Sequence, residues 1–218
     1  MLIKEDYEDA VFKANHIRSI LKYSSIPAAK TVVDIGCGDG LVLLEFHRIY
    51  PTTSCFGFDT DASVISKAYD HEDGEVCFQR RDFILQPFQH HITLLIDVLE
   101  HQEDPYTFLR KLKPYSKLKV LHIPLENTCL TMLYPTFQKH QHDTVGHRWY
   151  FTKDTAFQML EDCGYKIIRW EYTHCYKLSR WYGWKDAVLK PVRYILFAIW
   201  PDIAQRMVGG CSVMVVAE

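Results

Sequence analysis

TVVDIGCGDG, residues Thr31 to Gly40, is the stretch that determines the fold of this 218-residue chain. The β-branched residues Val32, Val33 and Ile35 predict a buried strand, and the three glycines predict a tight turn at which the backbone can approach a ligand. From Leu41 to Tyr50 apolar residues recur at helical spacing. A strand, a glycine turn and a helix N-terminus in this order predict a cofactor site in an α/β fold.

Two classes of ligand use this arrangement. The dinucleotide fingerprint G-x-G-x-x-G requires a glycine where this chain has Leu41, because Gly40 comes one residue early. Asp34 and Asp39 would repel a pyrophosphate, whereas they would attract a cation. The pattern therefore favours a positively charged adenosine ligand over NAD.

The glycine loop resembles that of the class I S-adenosylmethionine methyltransferases, whose motif has the form D-x-G-x-G-x-G. The cofactor of that family carries a sulfonium and an ammonium, and its product is S-adenosylhomocysteine. The resemblance implies that the loop binds this cofactor. The residues concerned are Asp34, Gly36, Cys37, Gly38 and Gly40.

An acidic residue follows the second predicted strand, Thr53 to Phe58, about 20 positions beyond the glycine loop. At the carboxyl end of a parallel strand, Asp59 lies where a ribose diol presents its hydroxyls, and Thr60 is next to it. We expect Asp59 to bind the ribose from a solvated crevice, with little part in the stability of the unliganded protein. Asp61 is expected to cap the next helix instead.

The third predicted strand, about Glu75 to Gln79, leads to Asp82 and Phe83. By the same resemblance, Asp82 meets the adenine amino group and Phe83 lies beside the adenine ring. The alternative is a loop carboxylate paired with Arg80 or Arg81.

The run DVLEHQEDP, residues 97–105, follows the fourth predicted strand, His91 to Ile96. It resembles the V-L-E-H-x-x-D-P stretch of small-molecule methyltransferases, including the O-methyltransferases of ubiquinone biosynthesis and relatives from polysaccharide gene clusters. The resemblance implies cofactor contacts from Asp97, Val98 and Leu99. With the earlier matches it extends from Thr31 to Pro124.

Residues 125–150 show neither helical nor strand periodicity, and they contain His140, His142 and His147. We interpret this segment as a lid or acceptor-binding insertion. A surface lid with scattered histidines and a metal site are the alternatives, and no resident metal is predicted. If the acceptor is a hydroxyl or phenol, a general base would assist, and His147 is preferred to His101 for that role.

The C-terminal part, residues 151–218, is predicted to contain a helix and two strands, Tyr165 to Tyr172 and Cys211 to Ala217. The resemblance implies that the last strand is antiparallel to its neighbours. Between the strands, residues 177–208 are predicted to form a helical insertion with aromatic and basic residues: Arg180, Trp181, Tyr182, Trp184, Lys185, Lys190, Arg193, Tyr194, Phe197 and Trp200. The insertion is predicted to pack on the domain or on a second subunit of a homodimer; the alternative is a membrane interface contacted by residues 180–200.

Composition limits the remaining choices. A formal net charge of −2 gives no indication of a nucleic-acid partner. The seven cysteines include no CxxC pair, which is typical of a cytoplasmic protein with free thiols. Met1 to Ile20 contains acidic residues and no apolar signal-peptide segment.

These observations predict one α/β domain with a Rossmann-like, doubly wound, seven-stranded sheet, mostly parallel with an antiparallel last strand and helices on both faces. It comprises an N-terminal helix within residues 1–30, a cofactor-binding core over 31–124, the lid and the C-terminal part. The predicted function is S-adenosylmethionine-dependent methyl transfer to a small acceptor, at oxygen, the acceptor being aromatic, sugar or lipid-linked. A non-catalytic adenosyl-ligand-binding or scaffold protein is the alternative, and an NAD-dependent oxidoreductase is less favoured. A protein or nucleic-acid methyltransferase is a further alternative, although the chain lacks the basic stripe expected for nucleic acid and has no Asn-Pro-Pro-Tyr-like motif after the fourth strand.

Overall fold

The computed structural model describes residues 4–22, 30–72, 74–178 and 184–218, except for the side chains of residues 4, 5 and 184–187. Within these ranges seven strands form one sheet. The strands are β1 (Thr31–Ile35), β2 (Ser54–Asp59), β3 (Val76–Arg80), β4 (His90–Ile96), β5 (Ser116–Pro124), β6 (Ile167–Thr173) and β7 (Ser212–Ala217).

The strand order in the sheet is β3-β2-β1-β4-β5-β7-β6. Strands β1 to β5 pair in parallel, and β7 runs antiparallel to both β5 and β6. The predicted Rossmann-like sheet with an antiparallel last strand is confirmed. Chain order reverses between β1 and β4, so the carboxyl ends of these strands border the crevice at which open α/β sheets bind ligands.

Helices cover both faces of the sheet. They are α1 (Lys4–Lys22), α2 (Leu41–Ile49), α3 (Ala62–Ala68), α4 (Pro105–Leu112), α5 (Cys129–Met132), α6 (Phe137–Val145), α7 (Lys153–Asp162), α8 (Trp184–Ile199) and α9 (Pro201–Val208). The predicted N-caps are present: Asp61, Asp104 and Thr152 accept backbone N–H bonds in α3, α4 and α7.

The apolar core forms two layers, because successive residues of a strand point to opposite faces of the sheet. Val32 and Leu94 pack against α1 and α2 on one face, together with Ile17 and Phe46. Val33 belongs to the other layer, which includes residues of α4 and α7. The sheet is therefore buried on both sides, as its continuous apolar strands predict.

Residues 125–150 differ from the aperiodic segment expected from the sequence, since they contain α5 and α6. No residue of α6 is buried, so no apolar face marks this helix in the sequence. Thr128 is the N-cap of helix α5, and its hydroxyl accepts the N–H of Thr131 in a reciprocal capping box. The segment is thus a helical structure on the surface of the domain.

The insertion also folds as helices, α8 and α9, and α8 contains Pro191. Phe197 is buried and stacks on Tyr176, with ring centroids 5.6 Å apart, so one face of α8 packs on the domain. The opposite face exposes apolar side chains: Val188, Val192, Ile195 and Ile199, with Ile203 and Met207 of α9. Among the described helices none is both long enough and apolar enough to cross a bilayer. Arg180, Trp181 and Tyr182 lie outside the described residues, as do the side chains of Trp184 and Lys185.

Candidate functional site

The glycine loop connects β1 to α2 and is fixed to the end of β2. The carbonyl oxygen of Phe58 accepts the N–H groups of Gly36 at 2.7 Å and Cys37 at 3.1 Å. Gly38 has a φ of +56°, and a Cβ atom built on it would meet no atom within 4 Å. At Gly40, in contrast, a Cβ would lie 2.5 Å from the ring of Phe78. Gly40 therefore allows close packing, whereas Gly38 leaves open space above the loop.

Two cavities flank the glycine loop at the carboxyl edge of the sheet. The glycine-loop cavity, about 240 Å³, is lined by Asp34, Gly36, Cys37, Gly38 and Asp39, and by Asp6, Asp9, Ala10, Lys13, Leu41, Val42, Ile96 and Asp97. The Asp59 cavity, about 270 Å³, is lined by Asp59, Thr60, Asp82, Phe83 and Val98, and by Ile35, Gly36, Phe58, Arg81, Gln102 and Phe108. Both include Gly36, so an elongated ligand could cross the loop from one cavity to the other.

Asp34 is the most deeply buried acid of the glycine loop, with 1% of its surface exposed. Its Oδ1 has no hydrogen-bond partner within the described part of the chain. Burial, and then the nearby Asp59, raise the pKa of Asp34 to about 8. A cationic group in the glycine-loop cavity would compensate this carboxyl, as an ammonium or sulfonium would. The ligand expected from the sequence thus fits the residues present.

Asp59 is more than the solvent-facing ligand expected from the sequence. Its Oδ2 accepts the N–H of Gly38 at 2.9 Å, and its Oδ1 accepts the N–H of Asp61 at 2.8 Å. The expectation that Asp59 takes little part in the stability of the unliganded protein does not agree with these bonds. Because a carboxylate offers about four acceptor positions, it can still bind two ribose hydroxyls.

The other residues predicted for the cofactor have different environments. Asp82 is exposed and caps a short 3-10 helix by accepting the N–H of Ile84 at 2.8 Å. Arg81 bonds to Gln79 and to the carbonyl of Gln86. Phe83 is fully buried and belongs to the core, although it is among the residues that line the Asp59 cavity. Leu99 is also in the core and lines neither cavity.

A third cavity, about 380 Å³, lies beside the glycine-loop cavity, and we refer to it as the histidine cavity. It is lined by Asp9, Lys13, Asp97, Glu100, His101, His122, Pro124, Val145, His147, Cys175, Tyr176, Leu178, Lys190, Arg193, Gly210 and Ser212. Asp9, Lys13 and Asp97 line both cavities. A ligand of the glycine loop and a second molecule in the histidine cavity would therefore meet at these three side chains.

Asp97 is held between two partners at the end of β4. Its Oδ2 lies 2.6 Å from the Lys13 ammonium, and its Oδ1 lies 2.5 Å from Nδ1 of His122. Nε2 of His122 is 2.8 Å from the hydroxyl of Thr173. Burial works to raise the pKa of Asp97, but His122 and Lys13 outweigh it and hold this pKa well below its usual value. Asp97 also has a φ of +55°, a left-handed conformation that non-glycine residues adopt rarely.

His101 and His147 lie in contact on one wall of the histidine cavity. Their ring centroids are 4.9 Å apart, with the planes at 75°. Nδ1 of His147 lies 2.7 Å from a carboxylate oxygen of Glu126, and Nδ1 of His101 lies 3.2 Å from the Gly146 carbonyl. Burial, and then His147, lower the pKa of His101.

The backbone of Glu100 brings these histidines together. Its carbonyl accepts the N–H groups of Arg148 at 2.7 Å and Trp149 at 3.1 Å, which fixes the end of the predicted lid beside the turn after β4. The side chain of Glu100 is fully buried, and burial, and then Asp97, raise its pKa well above the usual value. His140 and His142 lie on exposed positions of α6 and do not line the histidine cavity.

Sequence reasoning gave no role to Lys13, Glu100, His122 or Glu126. Two of them carry a signal in the sequence: Lys13 is a charged residue within the apolar pattern of α1, and His122 is a polar residue inside the apolar run of β5. Glu100 lies in the quoted VLEH stretch, but its burial follows only from the fold. Glu126 gains significance only through its bond to His147.

Comparison with known proteins agrees with this geometry. A family model described as "Methyltransferase domain" matches residues 9–169. No curated protein sequence matches the chain. The fold is similar to that of magnesium protoporphyrin IX methyltransferase from Synechocystis PCC 6803 with bound SAH, at 15% identity, 100% coverage of this chain, 88% of that chain and a TM-score of 0.61. It is also similar to a SAM dependent methyltransferase from Archaeoglobus fulgidus, at 16% identity, 97% and 93% coverage and a TM-score of 0.65. At these identities the likeness shows the fold.

Proposed function

Because the chain belongs to the methyltransferase domain family, we propose that it transfers the methyl group of S-adenosylmethionine to a hydroxyl of a small molecule bound in the histidine cavity. The observation that supports this best is the wall that the glycine-loop cavity and the histidine cavity share at Asp9, Lys13 and Asp97. It puts a second binding site next to the place where the glycine loop would hold the cofactor.

Four residues are proposed to hold the cofactor. Asp34 and the open space above Gly38 receive the cationic methionine part, since Asp34 is a buried carboxyl with an unpartnered oxygen. Asp59 accepts the ribose hydroxyls, and Asp82 meets the adenine. When bound, S-adenosylmethionine supplies a methyl group activated by a positively charged sulfur.

The contribution of the protein is chiefly alignment. Methyl transfer from a sulfonium needs little covalent help, so holding the acceptor oxygen in line with the methyl group supplies much of the rate. The left-handed backbone at Asp97 is kept in place by Lys13 and His122, which gives the junction of the cavities a fixed shape. The sulfonium would also be near the Asp97 carboxylate, which would favour its binding.

His147 is the proposed base for the acceptor. Because its Nδ1 lies next to the Glu126 carboxylate, the ring proton resides on Nδ1 and is donated to Glu126. The lone pair of Nε2 is then available to accept the proton of a hydroxyl bound in the cavity. His101 lies against the same ring and is the second candidate.

The function can be tested with the purified full chain. Mass spectrometry should detect co-purified S-adenosylhomocysteine, and calorimetry should show binding of S-adenosylmethionine but not of NAD. Turnover should then be screened on phenols, sugars and lipid-linked precursors. His147→Ala should lower kcat while leaving cofactor affinity nearly unchanged, and His142→Ala, on the exposed α6, should change neither.

Each alternative has its own result in these experiments. Tighter binding of NAD than of either adenosyl compound would contradict the proposed cofactor. Tight adenosyl binding without methyl transfer to any acceptor would favour the non-catalytic binding protein. Unchanged kinetics of His147→Ala on a true acceptor would remove His147 from the mechanism.

A further inference from the structure

Three side chains that commonly bind metal ions converge on the wall of the histidine cavity. Glu100, His101 and His147 each offer one donor atom, and these atoms all lie within 4.8 Å of one another. In a tetrahedral site with bonds of about 2.1 Å, neighbouring donors are about 3.4 Å apart, so small side-chain rotations would complete the site. Among the described residues this is the one such group of histidine, cysteine and acidic side chains.

Both imidazole rings are already oriented as metal ligands usually are. A histidine that binds a metal through one ring nitrogen generally donates the N–H of the other to a carboxylate or a carbonyl. His147 makes this contact with Glu126 at 2.7 Å, and His101 makes it with the Gly146 carbonyl at 3.2 Å. In both cases Nδ1 is engaged, so Nε2 is left with its lone pair for a ligand.

Glu100 provides an independent indication. Its side chain has an exposed fraction of 0%, and neither carboxylate oxygen has a hydrogen-bond partner within the described ranges. A buried carboxyl group without partners is unfavourable, because it has lost its hydration and gained nothing in return. A cation between Glu100 and the two histidines would give both the opposite charge and the partner that the Glu100 carboxylate lacks.

We propose that Glu100, His101 and His147 bind a divalent first-row transition-metal ion, leaving coordination positions open toward the histidine cavity. The donor set selects the class of ion. Two imidazoles and one carboxylate suit zinc, iron or manganese, whereas magnesium and calcium prefer sites made entirely of oxygen. Glu126 and Gly146 act as positioning groups that fix the tautomer of each histidine.

The catalytic use of the ion rests on the proposed function, whereas the binding of the ion to the protein does not. An acceptor hydroxyl bound to the ion would lose its proton more easily, because the cation stabilises the oxyanion. The proton leaves to solvent, a lone pair of the oxygen forms the bond to the methyl carbon, and the electron pair of the carbon–sulfur bond goes to sulfur. The ion thereby replaces His147 as the group that activates the acceptor, and the acceptor class is a molecule with a hydroxyl able to bind a metal.

The binding test uses cobalt(II) chloride alone with the chelator-treated full chain. Visible absorption should show one cobalt ion per chain coordinated by the protein. Glu100→Gln keeps the shape of the side chain but removes the anionic donor, so it should weaken cobalt binding at least tenfold. His101→Ala, at an exposed position where folding should survive, should weaken it similarly. His142→Ala is the matched control, because His142 belongs to the same segment but lies on the surface.

The outcomes separate the two proposals. Absence of cobalt binding by the native chain, or binding that is lost in His142→Ala and kept in His101→Ala, would overturn the metal site. Methyl transfer that proceeds undiminished in the chelator-treated protein would overturn the use of the ion, while the proposed function and the His147 base would stand. Cobalt bound at the site of a chain that does not bind S-adenosylmethionine would support the site and contradict the proposed function.

Discussion

The ammonium of Lys13 lies 2.6 Å from Oδ2 of Asp97, at the point where the glycine-loop cavity meets the histidine cavity. Lys13 also contacts Asp9 at 2.7 Å, one turn earlier in α1. Asp97 in turn contacts His122 of β5. A helix that precedes the sheet is thereby connected to the carboxyl ends of two central strands.

Lys13→Met should destabilise the protein, because it removes the ammonium but keeps most of the apolar stem. Breaking a fully buried ion pair costs roughly 3–5 kcal/mol. Asp97 is half-buried and keeps His122, so we expect a decrease of about 1–3 kcal/mol in the free energy of unfolding, measured by urea denaturation. Lys22→Met, at the exposed end of the same helix, is the control. Equal losses in the two variants would show that the ion pair contributes nothing.

Asp34→Asn should change the pH dependence of stability. The pKa of Asp34 is raised to about 8 in the folded protein, whereas the unfolded value is near 4, so the unfolded chain holds fewer protons between these pH values. Its contribution to stability is fully present below pH 4 and is lost as the pH rises to 8. The variant lacks this loss. Between pH 5 and 7.5 the free energy of unfolding of Asp34→Asn, measured by urea denaturation, should rise by on the order of 2 kcal/mol relative to that of wild type. The affinity of the variant for S-adenosylmethionine should fall.

The control for this pH effect is Asp39→Asn in the same loop, where the carboxylate is half-exposed. A stability difference between wild type and Asp34→Asn that stays constant with pH would mean that Asp34 is ionised in the folded, unliganded protein. The same linkage predicts that cofactor binding at pH 7 releases a proton, because a bound cation favours the ionised carboxylate. Calorimetry in buffers with different ionisation enthalpies would detect it.

Gly38→Ala should separate the ligand site from the fold. A left-handed backbone costs an alanine roughly 1–2 kcal/mol. Gly74, with a φ of +88° and equally open surroundings, is a matched control on a loop away from the site. Both alanine variants should lose similar stability, but only Gly38→Ala should lose affinity for S-adenosylmethionine. If calorimetry shows the cofactor binding Gly38→Ala as tightly as wild type, the open space above Gly38 is not part of the site.

Asp59→Ala should affect both binding and stability. Bonds to the ribose hydroxyls are worth roughly 1.5–3 kcal/mol each, so cofactor affinity should fall about tenfold or more. The bonds from Gly38 and Asp61 are lost as well, so the free energy of unfolding should decrease by about 1–3 kcal/mol. Asp61→Ala loses the N-cap bond to Ser63, which should cost about 0.5–2 kcal/mol with a smaller effect on the cofactor. If Asp61→Ala lowers the affinity for the cofactor more than Asp59→Ala does, the ribose is bound by Asp61 instead.

The fold and the glycine-loop cavity were predictable because their signals are local. Strand β1 is a run of β-branched residues, the glycines follow it directly, and Asp61, Asp104 and Thr152 cap the helices that begin after them. Helix α6 was missed for an equally physical reason: it buries no side chain, so nothing imposes an apolar period on its sequence.

The histidine cavity was predictable only in part. His101 and His147 were identified as candidates, but their contact with one another depends on the Glu100 carbonyl, which binds the backbone after His147. Phe83 shows the same limitation, since its ring joins an aromatic cluster with Phe58 and Phe88 that the topology assembles. Such side chains come together through strand order, which no short stretch of sequence encodes.

The position of β7 in the sheet leads us to expect a particular order of folding. Strand β7 joins β5 from far along the chain, with Lys119 opposite Ala217, whereas β1 pairs with the nearer β2 and β4, and pairing between residues distant in sequence is slower. Within the described ranges, β6 is attached to the sheet through β7 alone. Gly210 and Ser212, at the start of β7, form part of the wall of the histidine cavity. In pulsed hydrogen exchange during refolding, amides of β6 and β7 should therefore become protected after those of β1 and β4. A folding intermediate would already possess the glycine loop, while the cavity for the second reactant would still be open to water.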